Sequence, residues 1–246
     1  LTRTPARITR IARLDLRVEA GGWPEAEAHR AEIDADFARR TAANPHLWNG
    51  RVILMRDHAI RDGALIGRCI ETDFAAFTWW RARGKADLGV VNVFSLAALE
   101  GADGAFVMGV MGDHTASPRQ VYFPGGTPDP TDVADGRLDL AMSVVREMAE
   151  EVGLRPAEAD AETCAESCGE RWVWDVVEDG IYVCLMRRFV FAETGAALAA
   201  RIRRFLSAET RPELKDVRVI AAAADLDAAV VPFAADYVRW RWTGQG

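Results

Sequence analysis

Arg146-Glu147-Met148-Ala149-Glu150-Glu151-Val152-Gly153-Leu154 places three carboxylates in little more than one helical turn and follows them with a glycine. Upstream, Phe123-Pro124-Gly125-Gly126 reads as a strand end turning into a loop. The two stretches together predict a strand, a glycine turn, a loop, and then a helix over residues 138–152 with an acidic face. Residues three and four apart on a helix are neighbours, so Glu147, Glu150 and Glu151 project from one side. Like charges at that spacing destabilise an isolated helix by roughly 0.2–0.5 kcal/mol per pair. A hard divalent cation between them reverses that sign, and Mg²⁺ takes oxygen ligands of this kind.

The rest of this helix supports the same geometry. Leu138, Ala141, Val145, Met148 and Val152 fall on one stripe at helical period and are expected to face the core. Arg146 borders the acidic face and can hold a glutamate by a charge-assisted bond. Gly153 suits the left-handed residue just past a helix end. A bare Glu-x-x-Glu-Glu run is most often only a solvated face. Here the upstream glycine turn and the complete Arg-Glu-x-x-Glu-Glu-x-Gly string weigh against that reading.

These residues resemble the Nudix box, Gly-x5-Glu-x7-Arg-Glu-U-x-Glu-Glu-x-Gly-U, where U is a bulky aliphatic residue. Arg146, Glu147, Met148, Glu150, Glu151, Gly153 and Leu154 match the second half throughout. The first half departs. Counting back from Arg146 puts Leu138 where the box has Glu, and Asp132 where it has Gly. With Gly126 as the box glycine, the loop to Arg146 is about six residues too long, and residues 127–136, rich in turn-forming Pro, Asp and Gly, read as the insertion. Asp135 or Asp139 would then replace the missing glutamate, with Asp139 the better placed. The enlarged loop is somewhat like that of the coenzyme A diphosphatase-like group.

The resemblance implies an α+β fold: an α/β/α sandwich around a mixed sheet. A hydrolase domain would span residues 89–246, with residues 1–88 as an N-terminal elaboration packed on it. It implies a Mg²⁺- or Mn²⁺-dependent diphosphatase acting on a nucleoside diphosphate linked to another moiety. Glu147, Glu150 and Glu151 would hold metal. Glu147 would be the base and Arg146 would keep the glutamates in register. Gly125 and Gly126 would let backbone approach the substrate, and Arg119 would meet a phosphate. The rival reading is a catalytically silent Nudix-fold nucleotide sensor, supported by Leu138. A third is a purely structural interaction protein.

Composition narrows the partners. Net charge is −7 and no basic tract is present, which argues against nucleic acid as a partner. Only Lys85 and Lys215 are lysines. Cys69, Cys164, Cys168 and Cys184 form neither a disulfide framework nor a zinc pattern. No signal-peptide pattern and no apolar run of membrane-spanning length is present, so a soluble cytoplasmic protein acting on a small molecule is expected.

Elsewhere the pattern predicts a strand over residues 5–17, a helix from Trp23-Pro24 to about residue 43, and a hairpin around Arg61-Asp62-Gly63. Asp73 should cap a short helix over 74–83. Hairpins follow at residues 101–104 and at Glu178-Asp179-Gly180, then a helix over 194–207, a strand over 217–221 and a helix over 223–240. The N-terminal elaboration (strand, helix, hairpin, short helix) is expected to select substrate or form a homodimer contact. His114 is the one histidine expected near the cleft, in a structural role. Trp172, Trp174 and Tyr182 read first as sheet-face residues, and Glu178 and Asp179 as a turn that could lend a ligand.

Overall fold

The N-terminal run expected as one strand is two strands that serve different sheets. The computed structural model, which describes residues 3–84, 88–159 and 173–244, breaks it at Ala12. β1 (Arg7–Ile11) pairs antiparallel with β10 (Trp174–Asp179), whereas β2 (Arg13–Glu19) pairs parallel with β4 (Ala64–Asp73). The Ala12 amide donates to Gly63 O at 2.8 Å, which anchors the crossover.

Among the described residues two mixed sheets result. The larger has seven strands: β1, β10, β11 (Tyr182–Phe191), β5 (Asn92–Gly101), β6 (Phe106–Met111) and β12 (Leu214–Ile220) in that order, with β7 (Val121–Tyr122) paired to β6. Its centre is the ten-residue parallel pair of β5 with β11. β6 and β12 extend it antiparallel. The second sheet has five strands in the order β3-β4-β2-β9-β8, where β3 is Arg51–Arg61, β9 is Arg137–Leu138 and β8 is Val133–Ala134. Its β3 and β4 form the expected hairpin, turned by Asp62 and Gly63, both at positive φ. Met55 and Val91 exchange backbone hydrogen bonds at 3.0 and 2.7 Å and join the two sheets.

Strand alternation sends side chains of β5 to opposite faces. Val93, Ala97 and Leu99 join α4 (Leu140–Val152) and α5 (Gly195–Ala208) in one core, together with Leu16, Ile53 and Leu65 of the smaller sheet. Phe94, Leu96 and Ala98 face α6 (Pro232–Trp242) in another. A third cluster gathers Trp23, Ile33, Trp79 and Trp80 around α2 (Arg30–Ala43) and α3 (Phe74–Arg83). α1 (Pro24–Glu27) is separated from α2 by a break at Ala28-His29, where one continuous helix was expected.

Other boundaries correct the sequence reading. The C-terminal helix begins at Pro232 rather than near residue 223. Proline occupies its first turn, where no donor is needed. Residues Ala223–Asp225 form only a 3-10 turn. α4 starts at Leu140, and Leu138 belongs to the two-residue strand β9 (Arg137–Leu138). Its core stripe is therefore Leu140, Val144, Met148 and Val152, with Ala141 and Val145 half-buried. Full burial of such side chains stabilises the fold by roughly 1.5–3 kcal/mol each. No helix among the described residues is long and apolar enough to cross a membrane.

Candidate diphosphate site

β7 delivers the chain to Phe123, which is fully buried, and the loop then lies across β5: the Ala97 amide donates to Pro124 O at 2.8 Å. Gly125 has φ +136, and a Cβ there would meet Ser95 O at 2.2 Å. Only glycine lets the loop sit this close to the strand. The buried Gly125 amide then points at α4 and donates to Glu151 Oε2 at 3.0 Å. Gly126 comes beside Glu147, whose Oε1 lies 3.7 Å from the position of an added Cβ. The glycine turn and the acidic helix thus meet in space as their order along the chain suggests.

The three glutamates do not share one environment. Glu151 is buried and Glu147 nearly so, while the Glu150 side chain is 62% exposed and turned to Arg146 at 3.2 Å. Burial, foremost, pushes the Glu147 carboxyl up to about 7; Arg146 opposes, and Glu213, Glu150 and Asp132 add to the rise. Burial likewise holds Glu151 well above the usual carboxylate range, with Glu213 and Glu147 adding and the Gly125 amide opposing. Glu213, just before β12, is itself pushed up by the protein crowded around it, against the pull of His114.

Among the described residues, no three His, Cys, Asp or Glu side chains are already gathered as a metal cage. The donor set nevertheless fits a hard cation. Glu147 and Glu151 are oxygen donors one turn apart, both desolvated and mutually repelling, and a divalent ion offsets those terms. Exposed Glu150 stands at the solvent side of the pair.

Arg146 has a partner that the backward count hid. It donates to Asp132 Oδ1 and Oδ2 at 3.0 and 3.1 Å, and also reaches Glu147 Oε1 at 2.9 Å. The Asp132 side chain is only 1% exposed. Counted forward from Gly126, Asp132 satisfies the Gly-x5-acid spacing, with Asp in place of Glu. The extra length falls after it, in residues 133–138, a small hairpin of β8 (Val133–Ala134) and β9 turned by Asp135 and Gly136 at positive φ. The Asp139 amide returns to Asp132 O at 2.8 Å, so the hairpin is pinched off at its base.

Neither expected substitute for the box glutamate serves there. Asp135 is the exposed turn residue of this hairpin. Asp139 is the N-cap of α4, its Oδ1 accepting from the amides of Ala141 and Met142 at 3.1 and 2.9 Å. Leu138 is a buried core residue. Arg119 lies in an exposed loop at φ +63, paired with Asp113 at 2.9 Å, and does not border the cleft described next.

A cleft of about 200 Å³ borders Gly125 and Gly126. Tyr182 and Asp179 line it, and Asp179 is bound by Arg3 at 2.9 Å. Glu178 is held instead by Arg7 at 2.6 Å and by His58 at 3.2 Å. Trp174 is core, while Trp172, Cys164 and Cys168 lie outside the described residues. Cys69 and Cys184 are buried free thiols, with burial pushing Cys69 up to about 12.

No protein-family model matches the chain, and no curated protein matches it. Among solved structures it is similar to a Nudix hydrolase from M. smegmatis, RenU. The TM-score is 0.35 and the identity 14%, over 62% of this chain and 84% of that one. At that level nothing of the neighbour's chemistry transfers to this chain.

Proposed function

We propose that the protein is a metal-dependent diphosphatase that cleaves the pyrophosphate bond of a nucleoside diphosphate derivative. The observation that carries this reading is the meeting of Glu147 and Glu151 with the Gly125-Gly126 turn, two largely desolvated carboxylates against the backbone of a glycine loop. The flanking of the seven-stranded sheet by α4 and α5 on one face and α6 on the other supports a Nudix-type α/β/α sandwich.

Glu147, Glu151 and Glu150 would hold Mg²⁺ or Mn²⁺. The ion, when bound, supplies positive charge against the two phosphates and against the charge that builds on the bridging oxygen. The residues do the rest. Asp132 fixes Arg146, and Arg146 fixes the rotamer of Glu147. The Gly125 amide orients Glu151. Gly126 carries no side chain, so a phosphate can approach the backbone there. Water attacks one phosphorus in line, the new P–O bond forms as the bridging P–O bond breaks, and Glu147 takes the proton.

The test is phosphate-coupled hydrolysis of ADP-ribose, NADH, coenzyme A, UDP-glucose, dinucleoside polyphosphates and nucleoside triphosphates with Mg²⁺, Mn²⁺ or chelator. Metal-dependent cleavage of one class supports the reading. Silence across the panel from folded protein overturns it.

A further inference from the structure

The cleft beside Gly125-Gly126 contains a cation that the proposed hydrolysis does not use. Arg81, in the last turn of α3, comes from the N-terminal region and lines this cleft. Its guanidinium stacks over Phe77 at 5.1 Å and donates to Ala116 O at 3.2 Å, which fixes the orientation of the fork. Among the described residues no carboxylate lies within ion-pair distance of it. The charge closest in influence is another cation, Arg40, and the two tyrosines that act on it are Tyr122 and Tyr182. The surrounding protein pulls its pKa down. The residue stays part-exposed at the edge of the recess.

The lining around Arg81 is rich in donors. Ser117, Gln120, Tyr122 and Tyr182, whose side chains carry hydroxyl or amide groups, line the same recess. Asn92 is buried, accepts from Thr127 Oγ1 at 3.2 Å through its oxygen, and leaves its amide nitrogen without a protein partner among the described residues. The remaining wall is apolar. Phe94, Tyr182 and Phe233 form an aromatic cluster with ring centroids 5.6–6.2 Å apart. Among the described residues the only carboxylate lining the recess, Asp179, is neutralised by Arg3. Tyr122 feels both Arg81 and the Glu147–Glu151 pair, so the two regions adjoin.

We propose that this cleft is a subsite for a phosphate monoester on the nucleoside portion of the ligand, read by the Arg81 fork with the neighbouring hydroxyl and amide donors. The proposal rests on the diphosphatase reading for where the pyrophosphate lies. Its volume, about 200 Å³, is below the roughly 300–1,000 Å³ of whole-ligand pockets, so it takes one end of a bipartite molecule. Guanidinium matches phosphate oxygens two at a time, and several neutral donors suit a group with three terminal oxygens better than a carboxylate. The preferred substrate is then a nucleoside diphosphate derivative carrying a third phosphate at the ribose.

The experiment is equilibrium binding, in chelator so that no turnover intervenes, of AMP, adenosine 2′,5′-bisphosphate and adenosine 3′,5′-bisphosphate. Wild type is expected to bind one bisphosphate roughly 10- to 100-fold more tightly than AMP, the range for a charge-assisted contact. Arg81→Gln should bring that ratio to about one, and Arg81→Lys should fall between, as the fork is lost and the charge kept. Thermal melts establish that the variants are folded. Equal binding of all three probes by wild type, or an unchanged ratio in folded Arg81→Gln, overturns the proposal. Failure of the hydrolysis panel leaves this readout untouched, so the two claims fall separately.

Discussion

Arg146 grips the buried carboxylate of Asp132 with one nitrogen, at 3.0 and 3.1 Å, and touches Glu147 with the other, at 2.9 Å. Fourteen positions apart, these residues connect the loop after Gly126 to the acidic helix. The pair fixes the side chain on which the proposed chemistry depends. It also places a buried acid six residues after Gly126.

Asp132→Ala should therefore take from Arg146 its buried partner, leaving it Glu147 and the exposed Glu150, and remove the acceptor for the Asp129 amide. A loss of roughly 1.5–3 kcal/mol is expected, the scale of hydrogen bonds to a charged group. Leu138→Glu, which restores the glutamate at the backward-counted position, should destabilise as well, because that side chain lies in the core. Chemical denaturation of both variants checks this. A stabilised or more active Leu138→Glu would show that the hairpin has been misplaced.

Asp139 makes a contrasting case. Asp139→Ala removes a helix cap and should cost about 1 kcal/mol, with kcat unchanged at a temperature where the protein is folded. A large loss of kcat at intact stability would return Asp139 to the site.

The two glycines of the turn should separate cleanly. Gly125→Ala puts a Cβ 2.2 Å from Ser95 O at a φ of +136 and should cost about 2 kcal/mol or more. At Gly126 the nearest atom is 3.7 Å away, so Gly126→Ala should stay within about 0.5 kcal/mol of wild type. Melting curves of the two variants decide. Equal stability would mean that the loop does not lie against β5 as described.

Stability of the metal-free protein should depend on pH through Glu147. Its carboxyl rises from the ordinary 4.5 to about 7 on folding, so the folded state holds the proton more tightly between those values. Stability is then undiminished below the unfolded value, falls as pH rises from about 4.5 to 7, and levels off above. The fall is on the order of 3 kcal/mol, and Glu151, shifted in the same direction, adds to it. Melting with chelator between about pH 5 and 7.5 should show the decline, Glu147→Gln should flatten it, and Mg²⁺ should reverse it at the upper end. A flat wild-type profile would contradict the burial of this carboxylate.

The elements with local signals were legible in the sequence. α4 announces itself by an apolar stripe and a terminal glycine, and Asp73 caps α3 as its side chain suggests, accepting from Ala76 N at 2.8 Å. The hairpins at Asp62-Gly63 and at Gly180 carry turn residues at positive φ. What escaped was set by tertiary contacts. Nothing at Ala12 marks a break, because the alternation of β1 runs on into β2 and only pairing with different sheets divides them. Pro232 read as an interruption because the chain before it is apolar, although proline is at home in a first helical turn. Asp132 was visible in the forward spacing from Gly126 and was lost by counting from Arg146 across an insertion. Arg81 had no sequence signal at all, since its meaning comes from the folding of α3 over a cleft built by β5, β7 and β11.

Turnover by Glu147→Gln and Glu151→Gln tests the central claim most directly. It would be measured beside wild type with saturating Mg²⁺ on whichever diphosphate wild type cleaves. With melting temperatures showing folded protein, each substitution should lower kcat by at least about 10²-fold, the scale of losing a group that acts on the transition state. Near-wild-type kcat in both variants would contradict the assignment of the buried glutamate pair as the diphosphatase centre.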